Sequence, residues 1–310
     1  MPKVETWQLK QRQGHPLEIK ERLTENRIRA WYEYWKGQVY VSFSGGKDST
    51  VLLDIVRKMY PGVPGVFVDT GLEFPEIRAF VKTKENIVWL RPKMAFPQVI
   101  EKYGYPVISK KQAKCIREVQ NGTTEYTEAK HRGKVTGRNG QPIVTVSKKW
   151  QYLMDQQTIK ISERCCDILK KRPIHKYEKE SQRYPYIGTM VTDSLLRRVS
   201  ILENGCNAFG MSRPQSRPLA HWLEKDIWDY IHKYNIAYSK IYDMGYKGTG
   251  CMFCMFGVHL EKAPNRFQRM RKTHPNQYNY CINKLGCGKV LDYIGVEYGE
   301  SKQSELKLEE

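Results

Sequence analysis

A six-residue turn, Ser44–Ser49, constrains this 310-residue chain more than any other segment. It reads Ser-Gly-Gly-Lys-Asp-Ser and follows Val39–Phe43, an apolar run that predicts a buried strand. The apolar spacing of Thr50–Val56 predicts a helix packed on a sheet. Glycines and serines at such a turn bring backbone N–H groups and a helix N-terminus to one place. The segment therefore predicts an anion site, and pyrophosphate is the anion that fits it best.

Two side chains extend this anion site. Lys47 adds a point charge, and Asp48 is a candidate ligand of Mg²⁺ or a residue that orders the loop. The turn is not a Walker A loop, because the spacer between the first glycine and the Gly-Lys pair is missing. It also differs from the G-x-G-x-x-G dinucleotide motif. A simple helix N-cap is the alternative, but the complete pattern favours nucleotide phosphate.

Strand and helix patterns alternate from Gln38 onward. The predicted strands are Val39–Phe43, Gly65–Asp69, Ile87–Leu90 and Tyr186–Gly188. This alternation predicts an α/β fold in which a parallel sheet carries helices on both faces. Ligands of such sheets bind at the carboxyl ends of the strands. We therefore expect Ser44–Ser49 and Asp69-Thr70-Gly71 to serve one crevice.

Three successive domains are expected. Residues 1–36 predict a helical appendage, residues 37–245 the α/β nucleotide-binding domain, and residues 246–310 a helical, cysteine-bearing region. A basic insertion, residues 121–149, interrupts the second domain around Asn139-Gly140, a hairpin-turn signal. Two short strands are expected around that turn. The insertion is either a solvated hairpin or an arm that binds nucleic acid.

The overall charge favours a polyanionic partner. Lys and Arg total 52 against 33 Asp and Glu, a formal net charge of +19. A small nucleotide does not require so basic a surface, whereas DNA or RNA is attracted by it. Solubility alone is the alternative. Since no segment predicts a membrane span or a signal peptide, we expect a cytoplasmic protein without a membrane partner, and a homo-oligomer stays open.

Four of the eight cysteines form two pairs. Cys165 and Cys166 are adjacent, and Cys251 and Cys254 form a C-x-x-C. In the cytosol, thiols at such spacing favour metal or redox chemistry over disulfides. Adjacent thiolates rarely both reach one tetrahedral ion, but they can bind different irons of a cube. The two pairs are therefore candidate ligands of a [4Fe–4S] cluster.

Two alternatives to the cluster stay open. A zinc site would use a different set of thiols, Cys251, Cys254, Cys281 and Cys287. The thiols could also be ordinary buried side chains. Cys115 and Cys206 stand singly on apolar stretches, where we expect them to pack in the core.

Three blocks of sequence carry a resemblance to a known family. Ser44–Ser49 resembles the PP-loop of the ATP pyrophosphatases, a superfamily that includes sulfonucleotide reductases and enzymes that thiolate RNA or DNA. Val66–Glu76 resembles the D-T-G-x-x-F-P-E segment of the phosphoadenylylsulfate (PAPS) reductase family. Three further segments resemble the R-P-L-x-x-W, D-V-W-x-Y-I and L-Y-D-x-G-Y motifs of that family: Arg217–Trp222, Asp226–Ile231 and Ile241–Tyr246.

The cysteine pairs extend the resemblance. They are similar to the C-C … C-x-x-C arrangement of [4Fe–4S] adenylylsulfate (APS) reductases and of DndC-like phosphorothioation ATP pyrophosphatases. The resemblance implies a Rossmann-like PP-loop fold of the HUP class. The cofactors it implies are ATP, Mg²⁺ and a [4Fe–4S] cluster, with Zn²⁺ as the alternative to the cluster.

Within this family, the loop favours ATP over a sulfonucleotide. Reductases generally carry a degenerate loop and a nucleophilic cysteine in an E-C-G-x-H motif, whereas this sequence has Lys47 and Asp48 and lacks that motif. The family's G-x-R-x-x-E-S-x-x-R motif also departs here, with Met190 for Arg and Asp193 for Glu, while Arg197 is kept. This departure weakens sulfonucleotide specificity.

The resemblance implies attack at the α-phosphorus of ATP and loss of pyrophosphate. Lys47 and Asp48 are the expected catalytic residues. The loop residues expected to cradle pyrophosphate are Ser44, Gly45, Gly46 and Ser49. The other expected nucleotide-binding residues are Asp69, Thr70, Gly71, Arg197 and Arg217.

The implied function is activation of an acceptor for sulfur insertion. With a charge of +19 the expected acceptor is nucleic acid, as in DNA phosphorothioation or RNA thiolation. The expected partners are ATP, DNA or RNA, and a sulfur donor such as a cysteine desulfurase. One alternative is a PAPS or APS reductase that produces sulfite, with Cys281 or Cys287 as a displaced nucleophile. Another is a non-enzymatic, nucleotide-sensing protein that binds nucleic acid.

Overall fold

The computed structural model describes residues 4–143 and 145–299. The chain divides into two units and passes between them repeatedly. Unit 1 consists of the chain up to Asp69, Glu73–Arg91 and Pro173–Thr249. Unit 2 consists of Thr70–Leu72, Pro92–Arg172 and the chain from Gly250 onward. The three successive domains expected above stay a prediction.

Short strands form one sheet in each unit. In the described residues they are β1 (Val39–Ser42), β2 (Gly65–Val68), β3 (Ile87–Leu90), β4 (Val107–Ile108), β5 (Tyr184–Ile187), β6 (Asn207–Ala208), β7 (Gln215–Ser216) and β8 (Met255–Phe256). The sheet of unit 1 has the order β3-β2-β1-β5-β7-β6. Its pairings are parallel except for β6 with β7 at one edge. In unit 2, β4 pairs with β8 in parallel.

Helices make up most of the remaining regular structure. They are α1 (Thr6–Gln13), α2 (Leu17–Tyr34), α3 (Lys47–Met59), α4 (Pro75–Lys82), α5 (Phe96–Tyr103), α6 (Lys110–Gln120), α7 (Glu125–His131), α8 (Tyr152–Asp155), α9 (Arg172–Ser181), α10 (Leu195–Asn204), α11 (Glu224–Lys233), α12 (Arg266–Thr273), α13 (Pro275–Asn279) and α14 (Cys287–Tyr293). Two π-helical segments are Asp167–Lys171 and Tyr280–Lys284. Across the residues that the structure describes, none of these helices is both long and apolar enough to cross a membrane.

The sheet of unit 1 is covered by helices, because its central strand is apolar along its length. Val39 and Val41 of β1 are fully buried, and so are Leu52 and Val56 of α3. Strand order runs from β1 outward to β3 on one side and from β5 outward on the other. This reversal lies between β1 and β5, where α/β sheets bind ligands at the carboxyl ends of their strands. The expected α/β fold is confirmed.

The N-terminal helix α2 belongs to unit 1. Trp31 is fully buried and packs against Phe209, with ring centroids 4.9 Å apart. The Tyr186 hydroxyl of β5 donates to the carbonyl of Ile28 at 2.8 Å. Ile28 and Trp31 of α2 are therefore part of the interior of unit 1.

The basic insertion of unit 2 forms a turn without the two expected strands. Ile143 N–H donates to the Val135 carbonyl at 2.8 Å, and an isolated antiparallel bridge joins Thr136 to Pro142. Gly137 N–H donates to the Gln141 carbonyl at 2.8 Å on the other side of this bridge. Val144, inside the predicted hairpin, lies outside the described residues. The turn around Asn139-Gly140 is present, but the strand prediction was wrong for the described part.

Candidate functional site

The predicted phosphate loop, Ser44–Ser49, connects β1 to α3 in unit 1. Gly45 has a φ of +72°, and a Cβ there would lie 2.7 Å from the Val81 side chain and 2.9 Å from that of Ile77. A Cβ on Gly46 would lie 2.7 Å from Oγ1 of Thr249. Gly45 is therefore favoured by its backbone conformation and its packing, whereas a side chain at position 46 would require the Thr249 hydroxyl to shift.

Serine hydroxyls hold the loop in shape. Ser44 N–H donates to Ser49 Oγ at 3.2 Å, and the two hydroxyl oxygens lie 3.1 Å apart. Ser49 Oγ donates in turn to the Gly46 carbonyl at 2.9 Å. Gly46 N–H donates to Ser44 Oγ at 3.3 Å. The loop thus satisfies two of its own amides with its own side chains.

Tyr242 contacts the first turn of α3. The Lys47 N–H donates to the Tyr242 hydroxyl at 2.8 Å. Hydrogen bonding inside the helix begins at Thr50, whose N–H donates to the Gly46 carbonyl. The amides of the first turn therefore have no acceptor within the helix. A phosphate oxygen that accepts from Lys47 N–H has to replace the tyrosine hydroxyl. The Ile241–Tyr246 motif contains this tyrosine, but the motif alone does not indicate its contact with Lys47.

Lys47 and Asp48 form an ion pair at the start of α3, with Nζ 3.3 Å from Oδ1. Glu224 Oε1 lies 3.6 Å from the same Nζ. Burial opposes the charge of Lys47, but Asp48, Tyr242 and Glu224 outweigh it, so the pKa of Lys47 is raised. Burial raises the pKa of Asp48 against the effect of Lys47, and Asp193 and Glu224 raise it further. Glu224 and Asp193 were not predicted to lie near this pair.

One oxygen of Asp48 is poorly satisfied. Its Oδ1 is buried and accepts no hydrogen bond within the described part of the chain, although Lys47 Nζ is nearby. The Lys47 ammonium, 3.3 Å away, already faces this oxygen as an ion-pair partner, and carboxylate oxygens are the ligands that Mg²⁺ prefers. Asp48 therefore fits the predicted role of a Mg²⁺ ligand.

Asp69 and Thr70-Gly71 fall in different units. Asp69 follows β2 in unit 1, where its buried Oδ2 accepts from Arg78 Nη2 at 2.9 Å. In unit 2, Thr70 Oγ1 accepts from Leu72 N–H at 3.2 Å, and Gly71 has a φ of +78°. The common crevice expected for these residues stays a prediction.

The two predicted nucleotide-binding arginines differ in their surroundings. Arg197 of α10 is half exposed and forms an ion pair with Asp193, the residue that also acts on Asp48. Arg217 is buried, and its Nη2 donates to Ser200 Oγ at 3.1 Å. Its Nη1 is buried without a hydrogen-bond partner in the described residues, and burial lowers its pKa. Arg217 thus has an unused donor for an anion.

The four predicted cluster cysteines all lie in unit 2. Cys165 Sγ donates to Cys166 Sγ at 3.9 Å. This hydrogen bond, burial, and the charges of Cys166, Cys254 and Cys251 raise the pKa of Cys165. The second pair is therefore close enough to act electrostatically on the first. The fold brings together two thiol pairs that are far apart in the sequence.

Cys166 favours the thiolate form. The hydrogen bond from Cys165 lowers its pKa, and Lys110 and Lys170 lower it further against the effect of burial. The thiolate is the form that binds metals and acts as a nucleophile. Cys166 also precedes the π-helical segment Asp167–Lys171, and single π turns are frequent at functional sites.

Backbone hydrogen bonds fix the C-x-x-C turn. Cys254 N–H donates to the Cys251 carbonyl at 3.1 Å, and Met252 N–H donates to the Leu72 carbonyl at 2.8 Å. Arg266 Nη1 donates to the Cys254 carbonyl at 2.9 Å. Arg266 therefore positions the cysteine turn.

Cys281 and Cys287 interact with each other. Both are fully buried, and a hydrogen bond to Cys287 together with burial raises the pKa of Cys281. Tyr105 is close to both, and its hydroxyl donates to the Leu285 carbonyl at 2.8 Å.

Comparison with known proteins identifies the family. The model of the phosphoadenosine phosphosulfate reductase domain matches residues 38–137 and 116–256, more than half of the chain. An uncharacterized protein from Methanocaldococcus jannaschii is 25% identical over 285 residues, which cover 87% of this chain and 53% of that protein. An adenosine 5′-phosphosulfate reductase from Anoxybacillus flavithermus is 24% identical over 263 residues, which cover 83% of this chain and 90% of that enzyme. The chain thus spans about half the length of the first relative.

Two solved structures show more distant likeness. A PAPS reductase from Candida auris has a TM-score of 0.43 and 16% identity, covering 80% of this chain and 96% of that one. The second is the U34-tRNA thiolase NcsA from Methanococcus maripaludis, solved with its [4Fe-4S] cluster. It has a TM-score of 0.37 and 14% identity, covering 90% of this chain and 82% of that one. Likeness at this level does not establish a shared activity.

The family match spans the whole sheet of unit 1, the phosphate loop and both cysteine pairs. The resemblance predicted from Ser44–Ser49 and the D-T-G segment is confirmed, and the relatives of this chain include reductases. This chain belongs to the phosphoadenosine phosphosulfate reductase domain family.

Proposed function

We propose that this protein is an ATP pyrophosphatase that activates an acceptor, a nucleic acid, for sulfur insertion. The proposal depends on one observation, the complete phosphate loop at the start of α3. Its glycines are closely packed, its Lys47 is buried, and the buried Oδ1 of Asp48 forms an ion pair with Lys47. A loop that carries both Lys47 and Asp48 suits a reaction in which pyrophosphate leaves. A sulfonucleotide has no pyrophosphate group to lose.

The proposed reaction has two balanced steps. First, an oxygen of the acceptor attacks the α-phosphorus of ATP, the bond from that phosphorus to the α,β-bridging oxygen breaks, and pyrophosphate leaves with the electron pair. Second, sulfur at the oxidation level of sulfide attacks the activated acceptor atom and displaces AMP. The acceptor oxygen leaves with AMP, so neither step needs an oxidant or a reductant. A donor protein such as a cysteine desulfurase, with a thiol reductant, is the proposed source of the sulfide.

The loop residues stabilise the leaving group in this scheme. The amide of Lys47 and the α3 N-terminus bind the β- and γ-phosphates once the Tyr242 hydroxyl has moved aside. Lys47 neutralises the charge that develops as the bond breaks. Asp48 is the candidate Mg²⁺ ligand, and the bound ion would neutralise the pyrophosphate. Arg217, through its unused Nη1, is a candidate for an additional phosphate contact.

The two cysteine pairs are the proposed ligands of a [4Fe–4S] cluster. The electrostatic interactions among the thiols support this set. Cys251 and Cys254 raise the pKa of Cys165, whereas Cys287 raises the pKa of Cys281. The zinc alternative combines thiols from both groups. When bound, the cluster would act as a sulfur or electron relay. Lys110 and Lys170 beside Cys166 offset the negative charge of such a thiolate site.

The proposed acceptor rests on charge. Arg132 is engaged by Glu128 and Asp155, and His131 is buried, so neither contributes to a basic surface of the insertion. The cations of the insertion that are exposed are Lys134, Arg138, Lys148 and Lys149. Further exposed cations lie between residues 262 and 272: Lys262, Arg271 and Lys272. Exposed cations of this density suit a phosphate backbone.

Pyrophosphate release tests the proposal. Purified protein with its metal content intact is incubated with ATP, Mg²⁺ and sulfide, alone and with duplex DNA or tRNA, and pyrophosphate and AMP are measured. We expect both products in equal amounts, increased by the correct nucleic acid. Salt-sensitive binding to DNA or RNA without either product would instead favour the non-enzymatic alternative.

Sulfonucleotide reduction is the second candidate, and one observation favours it. The A. flavithermus relative, named as an APS reductase, covers 83% of this chain. Thiol-dependent release of sulfite from APS or PAPS, without use of ATP, would support this candidate and contradict the first. In that case the pyrophosphate assay stays negative with every acceptor.

A further inference from the structure

A buried polar cluster in unit 2 is used by neither candidate site. It consists of Cys115 and Glu118 on α6 and His131 at the end of α7. One ligand atom from each of them lies within 4.8 Å of the others. Sequence reasoning expected Cys115 to be a packing residue. We propose that these three side chains bind Zn²⁺, and that the ion fastens the basic insertion to α6.

The geometry is close to that of a zinc site. Cys115 and Glu118 are three positions apart on α6, so they share one face of the helix. His131 Nε2 lies 2.9 Å from Glu118 Oε2. In tetrahedral zinc sites with bonds of about 2.0–2.3 Å, ligand atoms lie about 3.3–3.8 Å apart. Small side-chain adjustments would therefore suffice to bring the three ligands onto one ion.

An ion pair between Glu118 and His131 does not account for the whole cluster. It gives the Cys115 thiol no role, although this thiol and the imidazole are 4% and 6% exposed. Two cations compete with a metal for this carboxylate: Lys114 Nζ lies 3.7 Å from Glu118 Oε1, and Arg117 interacts with Glu118 electrostatically.

The ligand types select zinc. A thiol, an imidazole and a carboxylate are the three donor types found in protein zinc sites, whereas Mg²⁺ and Ca²⁺ avoid sulfur. Three protein ligands leave the fourth position to water. Binding would release the thiol proton, whose loss burial otherwise opposes.

The position of His131 suggests what the ion does. Its carbonyl accepts from Val146 N–H at 3.2 Å, which joins the start of the insertion's turn to its end. Gln151 Nε2 donates to the carbonyls of Val146 and Arg132 at 3.3 and 3.2 Å. A metal on His131 would thus hold both ends of this segment, with its exposed cations, against α6. This site is independent of the ATP chemistry proposed above.

Zinc analysis of matched variants tests the site. The full chain, with both cysteine pairs intact, is washed with a mild chelator and supplied with Zn²⁺ alone. Cys115→Ser and His131→Gln are compared with the wild type and with Cys206→Ser, which alters another single buried thiol. We expect the wild type and Cys206→Ser to hold about one zinc per chain more than the other two, at equal iron content. Equal zinc in all four proteins would overturn the proposal.

A conservative variant guards against failure to fold. Glu118→Gln keeps the size of the side chain and removes the charged ligand, so zinc affinity should fall about tenfold or more while the protein stays folded. Co²⁺ gives a second readout, a thiolate-to-cobalt charge-transfer band that Cys115→Ser loses and Cys206→Ser keeps. Unchanged zinc affinity in Glu118→Gln, or an unchanged cobalt band in Cys115→Ser, would contradict the assignment.

Discussion

The phosphate loop of unit 1 and the cysteine site of unit 2 are built in opposite ways. The loop is six consecutive residues, and most of its hydrogen bonds close within Ser44–Thr50. The cysteine site draws Cys165 and Cys166 from one segment and Cys251 and Cys254 from another. A local loop keeps its shape without a ligand, whereas a site assembled from distant segments depends on the folding of the whole unit.

The two sites also differ in what a ligand has to displace. In the loop, a phosphate replaces hydroxyl groups that already accept from the amides, above all that of Tyr242. In the proposed cysteine site, iron or zinc would replace thiol protons, because thiolates are the form that binds metals. Loss of one hydroxyl in the loop is therefore expected to change affinity moderately, whereas loss of one thiol in the other site is expected to abolish binding.

The largest expected effect is on the cysteine site. Cys254→Ser should abolish cluster binding, measured as iron per chain after anaerobic purification, because it removes one of four ligands. Cys281→Ser is the matched control and should keep its iron. Since the loop closes on itself, ATP affinity of Cys254→Ser should stay within about twofold of the wild type. Iron loss in Cys281→Ser with retention in Cys254→Ser would reverse the assignment of the thiols.

The next effect concerns the loop. Lys47→Ala should lower the rate of pyrophosphate release by about 10²–10³-fold, because it removes the buried charge that stabilises the leaving group. Lys58→Ala, a change to an exposed cation of the same helix, is the control and should leave the rate unchanged. Equal rates in Lys47→Ala and the wild type would exclude the loop from the chemistry. Iron content should be the same in all three proteins.

A smaller effect is expected from the hydroxyl that contacts the loop. Tyr242→Phe removes the group that competes with phosphate for Lys47 N–H, so ATP should bind about three- to tenfold more tightly, measured by calorimetry. Weaker binding would show instead that the hydroxyl holds the nucleotide. Tyr238→Phe, another change in the same region, serves as the control.

The smallest effect concerns the insertion. If Lys134 and Arg138 each contact a phosphate, their joint replacement by Ala should reduce the slope of log affinity against log salt by about 1.8 for duplex DNA. The measurement is a binding titration at several salt concentrations. Arg132 is not replaced, because it forms ion pairs with Glu128 and Asp155, and its loss would disturb the fold rather than a contact with nucleic acid. An unchanged slope in the double variant would place nucleic acid elsewhere or exclude it.

Local patterns made most of the fold predictable. The strand Ile87–Leu90 was predicted with the bounds that the structure has, because its apolar run defines it. Helix α3 begins at Lys47 rather than at Thr50, since its first turn has no apolar period and is fixed by the loop. The strands expected around Asn139-Gly140 are absent from the described part of the insertion, where a single bridge joins Thr136 to Pro142.

Contacts between distant segments could not be predicted from the sequence. Tyr242 and Glu224 reach Lys47 only in the folded unit 1, and no spacing rule connects them to the loop. The cluster of Cys115, Glu118 and His131 spans two helices, so a single-helix pattern does not reveal it. The two cysteine pairs were joined in advance through the family resemblance. A site formed by one short segment of this protein can therefore be predicted from the sequence, whereas contacts between distant segments require the structure.

A crystal structure with α,β-methylene-ATP and Mg²⁺ tests the central claim most directly, because this analogue cannot release pyrophosphate. We predict that the β- and γ-phosphates accept hydrogen bonds from the Lys47 amide and the first turn of α3, with the Tyr242 hydroxyl displaced. A structure in which Tyr242 still accepts from Lys47 N–H while the nucleotide lies elsewhere would contradict the account.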